Sequence, residues 1–490
     1  MSSIQATLKQ QYHSFVRNDG LKGRVFRGGV WLGGASFFEQ AIRFGRNMVL
    51  TRLLAPEAFG AMAIVQTATT LIQYAVDVGA REALIQNPKG EEEGHVTAAW
   101  WMTMSRATFI YSLVYVLAPF IAKFYGNVEF TALSRVVTLS VLFDGAMSPR
   151  AYIAVKTMKF WKWAAISNGG GILGVIITII LGFFMRDVWA LAFGYCSEYV
   201  ARCGLSYVIC PYRPRLPNFA AIRDLMKFSK GLVGIILFNM VFTRADFFVL
   251  GKLYSVADLG LYSMAVYLIQ TPLGFLVNVM NQTLLPALSR VQDDNARMNR
   301  IVLQMTSATV WVGLPAILFV MFCGHSLLTI AYGPRYSAAS VALGLACFTA
   351  FFNILNNQIT QAFYAKGMPQ LHRRSVALMA VVVVVLVYPL AKVFGPWGAQ
   401  LACLLAVIFG YLLQVERIRK VTGMKISQYR NAFPIPVFAS IAIAVLWALV
   451  TRYTSVMSQP VPSIAVGIGL CLTTYVFLGA LRFWQAREVA

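Results

Sequence analysis

The 490-residue chain is 58% apolar by its A, V, I, L, M, F, W, Y and C content, only 12% charged, and has a mean hydropathy of +0.65. Soluble globular chains run at about 45–50% apolar and about 25% charged, so a water-soluble enzyme is excluded and a polytopic membrane protein is implied. The formal charge of +23 would suggest nucleic acid as partner in a soluble chain; here the positive-inside rule absorbs most of it, and no nucleic-acid partner is expected.

Met1 to Arg27 is polar and basic, with no short apolar core leading to a small-residue cleavage site, so it reads as a cytoplasmic segment and not as a signal peptide. Apolar runs broken by charge, Pro or Gly then place spans near 28–50, 59–79, 96–121, 130–149, 163–185, 188–210, 231–251, 259–282, 301–323, 338–365, 375–391, 396–415, 433–451 and 461–481. The fold class predicted is an all-α polytopic membrane protein of about fourteen transmembrane helices. Thirty lysines and arginines fall on the side of the termini and seven in the short opposite connections, which puts both termini in the cytoplasm.

An internal repeat is visible at an offset near 200. Arg52-Leu53 with Phe59-Gly60 matches Lys252-Leu253 with Leu259-Gly260, Lys156-Thr157-Met158 matches Lys366-Gly367-Met368, and Trp189 matches Trp397. Each repeat covers six spans, so the two halves share one topology as parallel six-helix lobes. This gives an N-lobe at 28–210, a Pro-rich basic inter-lobe linker at 211–230 ending in an amphipathic helix, a C-lobe at 231–415, and two additional helices with a tail at 416–490.

Arg43, Arg46, Arg106, Arg135 and Arg244 lie inside predicted spans, where a cation costs at least ~2.5–3.5 kcal/mol and needs a partner or a wet cavity. Glu39 and Arg43, four residues apart, can neutralise each other, as can Glu198 and Arg202; Asp246 has Arg244 or Arg46 as candidate partners. Asp144 has no evident partner, and Asp77 heads a Gly-containing turn where loop geometry is the default role. Arg135 is read as snorkelling to the headgroups. Gly169-Gly170-Gly171 is read as a close helix-packing surface, with a hinge as the alternative. Trp161, Trp163, Trp189 and Trp397 fit an aromatic belt. The seven cysteines contain no CxxC pair and read as small buried hydrophobes. His13, His95, His325 and His372 are scattered in predicted tails or loops, so no metal cluster is suggested. Glu91-Glu92-Glu93 reads as a solvated loop, and no phosphate-binding loop supports ATP hydrolysis.

Leu50-Thr51-Arg52-Leu53-Leu54-Ala55-Pro56-Glu57-Ala58-Phe59-Gly60 and then Asp77-Val78-Gly79-Ala80-Arg81-Glu82-Ala83-Leu84-Ile85-Gln86 resemble the opening of polysaccharide transporter family proteins of the multidrug/oligosaccharidyl-lipid/polysaccharide exporter superfamily. Arg244-Ala245-Asp246-Phe247-Phe248-Val249-Leu250-Gly251, Leu259-Gly260-Leu261-Tyr262-Ser263 and Leu285-Pro286-Ala287-Leu288-Ser289-Arg290 are similar to the family's seventh and eighth spans and the loop after them. The resemblance implies a MATE-like fold and a flippase, without enzyme activity, in the bacterial inner membrane. Its substrate would be undecaprenyl-pyrophosphate-linked oligosaccharide for exopolysaccharide, capsule or O-antigen synthesis, and it leaves room for a polysaccharide polymerase or export complex as partner.

For such a substrate, guanidinium groups match phosphate oxygens with forked hydrogen bonds. Arg43, Arg46, Arg106 and Arg244 are therefore the candidate pyrophosphate and sugar contacts. Glu39, Asp77, Asp144 and Asp246 are their charge partners or, alternatively, sites of Na⁺ or H⁺ coupling; no other cofactor and no metal site is expected. The rival readings are a cation-coupled multidrug antiporter of the same fold and a peptidoglycan-precursor flippase. A membrane-embedded glycosyltransferase would need an outer loop longer than any found here.

Overall fold

Inside a bilayer no water is available to backbone N–H and C=O groups, so a chain with this pattern must close its hydrogen bonds within helices. The computed structural model describes residues 21–77, 79–229, 233–430, 434–453 and 460–473, and every regular element among them is helical. In chain order these are α1 Leu21–Leu53, α2 Pro56–Ala75, α3 Ala80–Gln86, α4 Glu93–Tyr125, α5 Glu129–Gly145, α6 Arg150–Lys156, α7 Phe160–Met185, α8 Val188–Ile209 and α9 Phe219–Ser229. Then follow α10 Val233–Leu253, α11 Val256–Ser289, α12 Asn295–Tyr332, a 3₁₀ turn Pro334–Ala339, α13 Ser340–Ala365, α14 Pro369–Phe394, α15 Pro396–Thr422, α16 Ile426–Arg430, α17 Pro434–Tyr453 and α18 Pro460–Thr473.

Helix lies at each of the fourteen predicted spans, the last described only as far as Thr473; residues 474–490 and 1–20 lie outside the described residues. By length and composition, six of these segments are apolar enough to cross a membrane alone, and eight if the bent pairs α2–α3 and α5–α6 each make one span. The others include α1 and α8, which are less apolar because Glu39, Arg43 and Arg46 sit on one and Glu198 and Arg202 on the other. The chain is a multi-pass helical membrane protein. One expectation is corrected: His95, His325 and His372 lie on α4, α12 and α14 and not in loops. Among the described residues, no group of three or more His, Cys, Asp and Glu side chains is placed to hold a metal ion.

The chain divides into two compact units, Met1–Leu54 with Ile64–Leu237, and Ala55–Ala63 with Phe238–Ala490. In the first, glycines let α7 approach its neighbours at backbone distance. A Cβ at Gly174 would stand 2.5 Å from that of Glu198, and one at Gly194 would stand 2.0 Å from Thr178 Oγ1. The segment predicted as an inter-lobe linker is fastened to this unit. Trp101 Nε1 donates to the Arg215 carbonyl at 2.9 Å, and Ala221 and Leu225 of α9 pack among Leu84, Ala98 and Tyr152. Asn87 Nδ2 lies 2.9 Å and His95 Nε2 3.2 Å from Asp224 Oδ2. Asn87 first and His95 second hold the Asp224 carboxyl below the ordinary aspartate range. That fastening is complete above about pH 3.9 and is lost as pH falls through the lowered value.

In the second unit, Leu288, Met298, Val302, Leu355, Ile359 and Phe363 form the centre of a core built by α11, α12 and α13. The repeat also meets itself here. A Cβ on Gly60 would fall 1.9 Å from the Val256 carbonyl oxygen, and one on Gly260 would fall 1.9 Å from that of Pro56. Glycines at matching repeat positions thus interlock, each beneath the other's helix start. Gly60→Ala and Gly260→Ala are each expected to destabilise the solubilised protein by about 1–3 kcal/mol through overpacking. Gly45→Ala, where a Cβ meets nothing within 4 Å, should leave it unchanged, as measured by thermal unfolding in detergent.

Candidate functional site

Among the described residues of the first unit, two charged clusters hold predicted site residues. The first is a four-residue network between α1 and α8. Arg43 Nη2 lies 2.9 Å from Glu39 Oε1 and 2.5 Å from Glu198 Oε1, and Arg202 Nη2 lies 2.7 Å from Glu198 Oε1 and 3.3 Å from Glu39 Oε1. The two intrahelical pairs expected from the sequence are therefore one cluster of two carboxylates and two guanidiniums, formally neutral. Glu198 is 3% exposed, and its neighbourhood is open to side chains only because α7 offers glycine. At Gly171 an added Cβ would stand 3.0 Å from Glu39 Oε1.

The second is a cavity at two interrupted helices. Helix α2 stops at Ala75, the Gly79 N–H donates to Asp77 Oδ1 at 3.1 Å, and Gly79 takes a left-handed φ of 59° before α3 begins, a turn glycine makes at little cost. The bend across this break is 48° and that between α5 and α6 is 60°. Asp77, Arg81, Arg106, Asp144, Tyr152 and Tyr199 line a space of about 270 Å³ beside the breaks. Arg106 Nη1 lies 3.5 Å from Asp77 Oδ1, while its Nη2 donates to the Gln73 carbonyl at 3.0 Å. Arg81 lies over the Tyr152 ring at 4.6 Å, donates to the Tyr152 hydroxyl at 3.3 Å and reaches only to 3.9 Å from Asp144 Oδ2. The Arg81 and Asp144 side chains are 38% and 40% exposed.

The structure thus brings together Arg106, Asp77 and Asp144, and supplies Asp144 with the partner the sequence did not name. Arg81 was missed because the sequence reading left it in a connection. The signal was present in Asp77-Val78-Gly79, an acid and a glycine at a helix end, after which a restarted helix turns Arg81 inward. Arg43 and Glu39 stand in the network and not in the cavity. Half-buried Arg46 donates from Nε to Asn47 Oδ1 at 3.2 Å. In the second unit, buried Asp246 accepts from the Tyr262 hydroxyl at 2.6 Å, and the guanidinium of Arg244 lies 5.7 Å from the Phe247 ring. Tyr262 is in turn 2.8 Å from Gln400 Oε1, which tethers α10, α11 and α15. Arg135 stacks 4.0 Å from the Tyr115 ring centroid.

The sequence family described as polysaccharide biosynthesis protein matches residues 49–341. The succinoglycan biosynthesis transport protein ExoT of Rhizobium meliloti (strain 1021) is 24% identical over 67% of this chain; the match spans 66% of ExoT, just under two thirds of that protein's length. The lipopolysaccharide biosynthesis protein WzxC of Escherichia coli (strain K12) is 20% identical over 87% of each chain. Among solved structures, the inward closed conformation of the lipid II flippase MurJ superposes with a TM-score of 0.76, at 13% identity, over 92% of this chain and 98% of that one. An inward-facing multidrug resistance MATE family transporter of the MOP superfamily gives 0.59 at 12% identity, over 79% of this chain and 96% of that one. At these identities the two structures speak for the fold.

Removing one carboxylate from the α1–α8 network leaves two guanidiniums to share the other. Glu198→Gln is therefore expected to cost about 3–5 kcal/mol, as for breaking a buried pair, and to lower the amount of inserted protein. Glu198→Gln combined with Arg202→Gln should recover part of that loss, measured by membrane-fraction immunoblot and thermal unfolding.

Proposed function

Because the chain belongs to the polysaccharide biosynthesis protein family, we propose that it is a flippase carrying undecaprenyl-pyrophosphate-linked oligosaccharide repeat units across the bacterial cytoplasmic membrane by alternating access. It supplies exopolysaccharide, capsule or O-antigen assembly, performs no covalent step of its own, and keeps both termini in the cytoplasm. The observation that carries this reading is the half-exposed Arg81 and Arg106 beside a cavity within a helical membrane unit. Guanidinium is costly inside a span, where the sequence puts Arg106, and a wet passage for a hydroxyl-rich headgroup accounts for its retention. Arg46 and Arg244 are the groups that meet the pyrophosphate as it crosses, with forked hydrogen bonds that survive partial desolvation, whereas Arg43 is taken up by Glu39 and Glu198 and Arg106 by Asp77. The driving force is the substrate gradient or a coupled Na⁺ or H⁺, with Glu39, Asp77, Asp144 and Asp246 the carboxylates available to it.

A deletion strain should accumulate undecaprenyl-pyrophosphate bearing a complete repeat unit and lose surface polymer, as read by mass spectrometry of its lipid extract. Restoring the gene with Arg46→Ala and Arg244→Ala combined should leave at least a ten-fold deficit in polymer at unchanged membrane content of the protein. Full transport by the inserted double variant would remove the cationic-passage mechanism.

A further inference from the structure

The cavity coincides with the place where the internal repeat breaks its own symmetry. The second and fourth spans of the first half are interrupted between Ala75 and Ala80 and between Gly145 and Arg150, whereas their counterparts, α11 and α13, run without a break. Both breaks fall at the ends of predicted spans, just ahead of Arg81 and Arg150, and irregular backbone at such a place is tolerated where it lines a cavity. Two independent features, the breaks and the enclosed polar volume, therefore fall on the same residues.

The chemistry of the walls narrows what fits. Asp77, Glu82 and Asp144 face Arg81 and Arg106, so the lining is slightly acidic and is a poor seat for a free pyrophosphate. The 3.9 Å separation between Arg81 and Asp144 is too long for a hydrogen bond, which leaves donor and acceptor capacity on facing walls. A carboxylate accepts from adjacent hydroxyls and a guanidinium donates to hydroxyl and ring oxygens, both with charge-assisted strength. Tyr74, 42% exposed at the lining, offers an aromatic surface to the C–H face of a ring. At about 30 Å³ per water, 270 Å³ is room for roughly nine waters, the scale of a single sugar ring with its shell.

We propose that this cavity is a saccharide subsite that seats one neutral sugar ring of the transported glycan, with Asp144 and Arg81 as its specificity-determining pair and Tyr74 as its platform. The proposal rests on the flippase reading for its biological ligand, but the binding chemistry stands apart from it. The test uses the full chain in lipid nanodiscs, titrated with the methyl glycosides of glucose, galactose and N-acetylglucosamine, with methyl glucuronide and with inorganic pyrophosphate. Binding is followed by tryptophan fluorescence, since Trp163 lies 5.6 Å from the Arg81 guanidinium.

At least one neutral glycoside should bind, with affinity reduced ten-fold or more in Asp144→Asn and Arg81→Gln, and neither anion should compete. Tyr74→Ala, at an exposed position, should weaken binding several-fold at wild-type thermal stability, which keeps the test decisive if the charged variants unfold. Binding of no neutral glycoside, equal binding by wild type and variants, or competition by pyrophosphate would overturn the subsite. In cells, a deletion strain that accumulates the lipid-linked unit while Asp144→Asn and Tyr74→Ala transport it at the wild-type rate sinks the subsite and leaves the flippase intact. A normal lipid pool in the deletion strain, with glycoside binding lost in the variants, sinks the flippase reading and leaves the subsite.

Discussion

A charge that enters the hydrocarbon layer has to be answered either by an opposite charge or by water, and the two answers produce two kinds of site in the first unit. Around Glu198 the answer is opposite charge: Arg43 and Arg202 close on it at hydrogen-bond distances, Glu39 balances the same two guanidiniums, and Glu198 itself keeps almost no surface open to solvent. Around Asp144 the answer is water: its partner stands back, and both side chains remain more than a third exposed. The first arrangement holds helices together. The second leaves capacity unspent, which is what a binding surface requires.

Backbone proximity makes both arrangements possible. The neutral network needs α1, α7 and α8 to stand close enough for four long side chains to converge, and glycine at positions 170, 171 and 174 removes the Cβ atoms that would hold them apart. The cavity needs the opposite, a place where helices part. The turn at Gly79 and the bend after Gly145 tilt short helical pieces away from the spans that precede them. One residue type therefore serves closure in one place and opening in another, according to whether its lack of a side chain or its freedom of φ is used.

Much of this was legible in the sequence because the bilayer imposes a strong one-dimensional code. Apolar run length located the helices, the offset near 200 exposed the repeat, and the Gly169-Gly170-Gly171 run announced close packing. What the sequence withheld depends on which faces meet. Glu39–Arg43 and Glu198–Arg202 are each plain as local pairs, but their union across 155 residues is a tertiary fact. Tyr262 carries no charge, so nothing in a charge census marks it as the partner of Asp246. The Pro-rich stretch after Pro211 reads as a tether because of its composition, while its attachment depends on Ala221 and Leu225 sharing one face of a short helix. The cavity was half visible: its charged residues stood out, but Arg81 was hidden by a break that makes a helix end look like a loop.

The four-membered network also carries a consequence for biosynthesis. Its members on α1 leave the ribosome well before those on α8, separated by 155 residues of chain. At about 5–20 residues per second that interval is roughly eight to thirty seconds. Throughout it, α1 must reside in or beside the membrane with only its own Glu39 to answer Arg43. The four-residue spacing of that pair lets α1 balance Arg43 with its own acid before α8 exists. It carries the first helix through the wait, and the arrival of Glu198 and Arg202 turns a provisional intrahelical pair into the joint that seals the unit.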